Sequence, residues 1–130
     1  MSDAQEGEVL AIRVIAMPRD TNGHGTIFGG YILSLIDQAG ALAAHAEGVG
    51  KMVTVSMREV VFAEPVHVGD VITCFGRLVT RGRTSITVRV RVTAQSPVEP
   101  QSVARDVTSA EVVYVHVDAH GRPMMLPPPR

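Results

Sequence analysis

Tryptophan is absent from this 130-residue chain and cysteine occurs once, as Cys74. A single cysteine excludes an internal disulfide and any metal site built from thiolates alone, and it fits a reducing compartment. Aromatic residues are scarce, three phenylalanines and two tyrosines, yet 45% of the residues are hydrophobic. So apolar a composition implies that some apolar surface is covered between subunits. An excess of charge of one sign is missing too: the formal net charge of −1 argues against general affinity for nucleic acid or anionic membranes. The stretch Met1 to Glu8 is acidic and has no apolar run after a basic start, so no secretory signal is expected. No segment has the length and purity of a membrane span, and the expected location is the cytoplasm. The length suits one domain over residues 1–130, with flexible tails at 1–7 and about 123–130.

The periodicity that is present changes sharply along the chain. Val9 to Met17 is rich in strand formers and stops at Pro18, and Arg19 to Gly30 carries the Asp, Asn and Gly of a loop. Tyr31 to His45 favours helix and is apolar on nearly every side, apart from Ser34, Asp37 and Gln38, which predicts a central, enclosed helix ended by Gly48-Val49-Gly50. Met52 to Phe62, Val71 to Thr80, Thr84 to Ala94 and Val107 to Asp118 read as strands. In the third of these, Ile86, Val88, Val90 and Val92 alternate with Arg89 and Arg91, so one face is buried and the other is solvated or faces a ligand. Arg81-Gly82-Arg83 predicts a tight hairpin with Gly82 at positive φ. One long helix against one antiparallel sheet that wraps round it, an α+β fold, is the economical arrangement.

The segment Asn22-Gly23-His24-Gly25-Thr26-Ile27-Phe28-Gly29-Gly30 lies just before that helix, and Asp37 stands two turns inside it. Small residues let a ligand approach the main chain closely. A helix start exposes unpaired N–H groups at its positive end, and the Asp37 carboxylate on nearly the same face can border the same pocket. Spacing alone leaves a second reading for Ser34, Asp37 and Gln38, the wet stripe of a buried helix. Asn22 can likewise be only a turn residue. Gly23 and Gly25 before a helix imitate a dinucleotide loop, but the strands that follow alternate as antiparallel ones and no second βαβ unit exists. His45, His67, His116 and His120 are scattered without metal-ligand spacing, and Cys74 has no recognisable base partner.

Met17-Pro18, Asp20-Thr21-Asn22, Gly25, Phe28-Gly29-Gly30, Asp37, Val61-Phe62, Pro65-Val66, Val68-Gly69-Asp70 and Gly82-Arg83-Thr84-Ser85, in this order over roughly residues 8 to 127, resemble the hotdog-fold acyl-CoA thioesterases of the YciA and brain-type acyl-CoA hydrolase group. The resemblance implies a hotdog fold and hydrolysis of acyl-CoA without a metal or organic cofactor. It implies hotdog homodimers, often trimers of dimers, that is, hexamers. It makes Asp37 the general base or nucleophile and Asn22 the polar partner that orients water or substrate. The helix start at Gly29 and Gly30 becomes the stabiliser of the developing oxyanion. Coenzyme A contacts fall on Gly82, Arg83, Thr84 and Ser85, where guanidinium, hydroxyls and main-chain N–H groups suit pantetheine and phosphate. Arg58, Arg122 and Arg130 are candidates for the nucleotide end. His24 lies where the family varies and reads as a loop residue.

Two other functions share the fold. A hotdog dehydratase expects a catalytic His with an acidic partner in place of Asn22 and Asp37. A non-catalytic acyl-CoA sensor binds the same ligand without turnover, and regulators of that kind need a DNA-reading segment that the residues before the first strand do not supply.

Overall fold

The computed structural model describes residues 4–130. The first strand, β1 (Val9–Ile15), leads through a single 3-10 turn at Pro18–Asp20 into α1 (Gly29–Ala46). Strands β2 (Met52–Phe62), β3 (Val71–Arg81), β4 (Ser85–Gln95) and β5 (Arg105–His116) follow. All pair antiparallel in one sheet of order β1-β3-β4-β5-β2. The helix therefore connects the two edge strands and crosses the sheet between them, as a hotdog fold requires.

Element limits differ from expectation where local chemistry intervenes. The helix starts at Gly29, two residues early, directly behind extended Phe28. It ends at Ala46, and Gly48 beyond it, with a φ of 94°, permits the closing bonds Gly48 N–H to His45 O (2.9 Å) and Val49 N–H to Ala44 O (3.3 Å). β5 stops at His116, short of Asp118, because the Asp118 carboxylate accepts the N–H groups of His120 (2.8 Å) and Arg122 (3.0 Å) and curls the chain. Gly82 is not at positive φ, a correction to the hairpin prediction. Its N–H instead donates to the Ser85 carbonyl at 2.8 Å, and a Cβ there would stand 2.7 Å from Ser85 Oγ, so glycine serves close approach and not handedness.

The alternation in β4 holds: Ile86, Val88, Val90, Val92 and Ala94 are buried with Ile72 and Cys74 of β3 and with Ala110, Val112 and Tyr114 of β5. Ile32, Leu35, Ile36, Ala39, Ala43 and Ala44 of α1 pack into the same core. A Cβ at Gly76 would lie 2.7 Å from the Ala43 Cβ, so glycine lets helix and sheet come together there. Enclosure of α1 is incomplete within one chain. Gly30, Ser34, Gln38 and Leu42, spaced one turn apart, are exposed. Among the described residues no helix is long and apolar enough to cross a membrane. Of the expected tails, residues 1–3 lie outside the described residues. At the other end, Met124 and Leu126 donate main-chain hydrogen bonds to the carbonyls of His116 and Arg83.

The sheet face turned away from α1 is polar and tied to the N-terminal segment. Arg91 stacks 4.6 Å from the Phe75 ring centroid, pairs with Glu8 at 2.8 Å and with Asp106 at 3.1 Å. The Arg91 hydrogen bond outweighs burial and holds the Glu8 carboxyl below its ordinary value of 4.5. A lowered folded-state value means that the stabilisation is present above about pH 4.5 and fades as pH falls below it. Glu8→Gln is therefore expected to lose about 1.5 kcal/mol of unfolding free energy at pH 7. Denaturant titrations should show the parent and variant converging as pH is lowered toward 3; a constant difference contradicts the assignment.

Candidate active site

Helix α1 begins without a side-chain cap. The N–H groups of Tyr31 and Ile32 return to the Phe28 carbonyl at 3.0 and 3.4 Å, whereas those of Gly29 and Gly30 have no partner among the described residues. Two donors thus point out of the positive end of an 18-residue helix. Beside them lies an apolar groove of about 280 Å³ between Ile27, Gly29 and Ile32 on one side and Phe62, Val66 and Val107 on the other. Phe28 is 57% exposed and its ring lies over Gly30, where a Cβ would meet it at 2.7 Å.

Asp37 is held from the sheet. Thr54 of β2 donates its hydroxyl to Asp37 Oδ1 at 2.7 Å, and Tyr114 of β5 donates its phenol to the Asp37 main-chain carbonyl at 2.6 Å. Asp37 is half-buried while Ser34 and Gln38 are exposed and bonded to each other, at 3.1 Å. The three residues do not form one uniform wet stripe. Burial first, and then the nearby Asp37 carboxylate, pushes the Tyr114 phenol well above its ordinary range, so it stays a donor.

Sequence reasoning missed Thr54 and Tyr114. Thr54 carries no local signal, because its partnership with Asp37 is tertiary. Tyr114 was detectable: a phenol in an aliphatic strand must find a partner when buried, and Gly40 in mid-helix has a packing reason.

The expected site residues fall in two groups. Asn22 Oδ1 accepts the N–H groups of His24 (2.7 Å) and Thr26 (3.3 Å), and Nδ2 donates to Thr26 Oγ1 (2.9 Å). The loop is thereby shaped by Asn22, and one of its two amide hydrogens stays free among the described residues. This loop adjoins the helix start, since Phe28 N–H bonds to the Asp20 carbonyl at 2.7 Å. Asp37 lies two turns further along α1, about 10 Å from Gly30 at the helical rise. That separation is of the main chain, and none of the Asp37 hydrogen bonds involves Asn22.

The Gly82-Arg83-Thr84-Ser85 turn sits at the Asp37 end. Ser85 pairs with Val115, which pairs with Val53, the row next to Ile86, Tyr114 and Thr54. Two strand spacings, about 10 Å, separate the turn from the Thr54 strand. Arg83 is exposed, but Arg81 turns its guanidinium toward the Pro127 carbonyl. Arg58 is paired with Glu111 at 3.3 Å. His24 lies exposed on its loop. Burial pushes the Cys74 thiol up to about 12, so it supplies no thiolate nucleophile at neutral pH. Among the described residues no three His, Cys, Asp or Glu side chains are grouped to hold a metal ion.

Comparison with known proteins adds a second line of observation. The sequence profile of the thioesterase superfamily matches residues 24–101. The acyl-CoA thioester hydrolase YciA of Salmonella typhimurium is 41% identical over 128 residues, covering 98% of this chain and 96% of that protein. A crystal structure of an aspartate-to-alanine mutant of a hexameric broad specificity acyl-coenzyme A thioesterase aligns with a TM-score of 0.88 and 40% identity, covering 92% of this chain and 87% of the other. A hexameric hotdog fold thioesterase of Campylobacter jejuni aligns with a TM-score of 0.83 and 47% identity over 91% of this chain and 90% of its own.

Proposed function

The chain belongs to the thioesterase superfamily, and from that premise we propose that it hydrolyses acyl-CoA thioesters to a carboxylic acid and free coenzyme A. The observation that carries this reading is the Asp37 carboxylate, held at one oxygen by Thr54 on the helix whose first amides have no partner among the described residues. Thioester hydrolysis needs both features, an anionic base or nucleophile and donors for a carbonyl oxygen becoming negative.

In this reading the thioester carbonyl oxygen rests on the Gly30 N–H, with Gly29 behind it. The acyl group follows the apolar groove that Ile27, Ile32, Phe62 and Val66 line. With Thr54 on Oδ1, the second Asp37 oxygen faces the reaction. As general base it takes a proton from water while the water oxygen bonds to the carbonyl carbon. As nucleophile it forms an anhydride that water then cleaves. Either way the C–S bond breaks and coenzyme A departs as a thiolate, a far better leaving group than an alkoxide. No step calls for a metal or an organic cofactor. The Gly82-Arg83-Thr84-Ser85 turn takes the pantetheine and phosphate end, with Arg83 as its exposed cation. We assign the reaction to the cytoplasm.

The roughly 10 Å between Gly30 and Asp37 in one chain supports a site shared by two copies, with helix amides and Asn22 from one protomer and Asp37 from the other. Hexameric thioesterases among the structural neighbours support self-association, and we assign a homodimer as the unit, assembled as a trimer of dimers. Exposed Val53, Val55, Val61 and Phe62 on edge strand β2, with Leu42 on the open side of α1, are the apolar surface that such a partner covers.

Chelator-treated protein is expected to release thiol from a panel of short, medium, long and aromatic acyl-CoAs. Asp37→Asn is expected to lower kcat by about a hundredfold or more. No thiol release from any member of the panel turns the reading toward a non-catalytic acyl-CoA binder.

Subunit sharing has its own test. Co-refolding equal amounts of inactive Asn22→Ala and Asp37→Ala chains gives about half mixed dimers, each with one intact site, so roughly a quarter of parental activity should return. Mixtures shown by mass spectrometry to contain mixed dimers, yet as inactive as either parent, place both residues in one chain's site instead.

A further inference from the structure

Tyr114 does more than fill the core. It is 1% exposed, and its ring sits in a gap that exists only because α1 has Gly40 opposite: a Cβ there would lie 2.3 Å from the phenol oxygen. The phenol bonds to the Asp37 carbonyl at 2.6 Å. That carbonyl lies within the α1 ladder, so the helix does not need Tyr114 to satisfy it. Directly across the sheet, the residue paired with Tyr114 is Thr54, the donor to the Asp37 carboxylate. Cross-strand partners present their side chains on the same face. One row of the sheet thus grips one residue of the helix at two points, main chain and side chain. A bulge after Thr54 shifts the register before Ser56, so this pairing is local to the row that faces Asp37.

We propose that Tyr114 is a positioning residue for hydrolysis, its phenol fixing the rotation of α1 about its axis and so the place of the Asp37 carboxylate. The inference rests on the reading of Asp37 as the reacting carboxylate. A side-chain atom about 6 Å from a helix axis moves about 1 Å for each 10° of rotation, and an error of that size in a reacting group can cost up to a hundredfold in rate. Substrate binding, carried by the groove and by the hairpin turn, does not depend on the phenol.

The test is Tyr114→Phe, which removes one oxygen and keeps the ring. With folding and oligomeric state verified, kcat is expected to fall about tenfold while KM stays within about twofold, the pattern of a lost contribution to the transition state with ground-state binding kept. In an Asp37→Asn background the same change is expected to leave the residual rate unaltered, because the two act as a unit. Gly40→Ala keeps the phenol but occupies its seat, and is expected to reproduce the fall in kcat. Tyr114→Phe with kcat within twofold of the parent, or with an undiminished loss in the Asp37→Asn background, overturns the role of Tyr114. Near-parental turnover in Asp37→Asn alone overturns the reading of Asp37 on which it rests.

Discussion

The close approach of α1 to its sheet is the constraint on which the rest of this structure depends. At Gly76 a methyl group would stand 2.7 Å from Ala43, and at Gly40 it would stand 2.3 Å from the Tyr114 oxygen. Both glycines allow a distance that alanine would forbid. The short distance buries Ile32, Leu35, Ile36 and Ala39 against the Val-rich face of β4. It also brings Asp37 within hydrogen-bond reach of two strands at once. A glycine in mid-helix costs about 0.5–1 kcal/mol relative to alanine, an amount smaller than burial of even one of the facing aliphatic side chains.

Once the helix is seated, its start and its middle present different chemical groups. The N-terminal end offers amides that have no partner among the described residues, beside an apolar groove, and Gly29 and Gly30 keep the approach open. The Asp37 level offers a carboxylate oriented by β2 and β5. Because these features are two turns apart on one helix, the proposed dimer would set the amides of one chain against the carboxylate of the other. The exposed row of Gly30, Ser34, Gln38 and Leu42 is the open side of α1, which the proposed partner would cover.

Much of this was legible in the sequence because it is written in short-range patterns. The strict alternation of Ile86, Val88, Val90 and Val92 gave the buried face of β4, and the limits of β2 were read correctly from β-branched content. Gly48 marked the helix end for a reason that is local, its positive φ. What escaped reading depends on tertiary pairing. Thr54 has nothing in its own strand to distinguish it from Thr73 or Thr87, and only the fold brings it to Asp37. The hairpin at Gly82 was given the wrong reason, since crowding by Ser85 and not handedness demands glycine. Arg81 stands beside Arg83 in the sequence, but its guanidinium turns to the Pro127 carbonyl. The family pattern supplied the roles of Asn22 and Asp37, which spacing alone left beside a wet stripe and a turn.

The central claim is that helix amides from one chain and Asp37 from another converge on a single thioester carbonyl. A crystal structure of the assembled protein with an acyl-CoA analogue in which a non-hydrolysable ketone replaces the thioester tests it directly. The account predicts the ketone oxygen about 2.7–3.1 Å from the Gly30 amide nitrogen, with the Asp37 carboxylate of the neighbouring chain beside the carbonyl carbon and its Thr54 hydrogen bond intact. An analogue whose carbonyl lies away from the α1 N-terminus, or beside the Asp37 of the chain that supplies the amide, contradicts it.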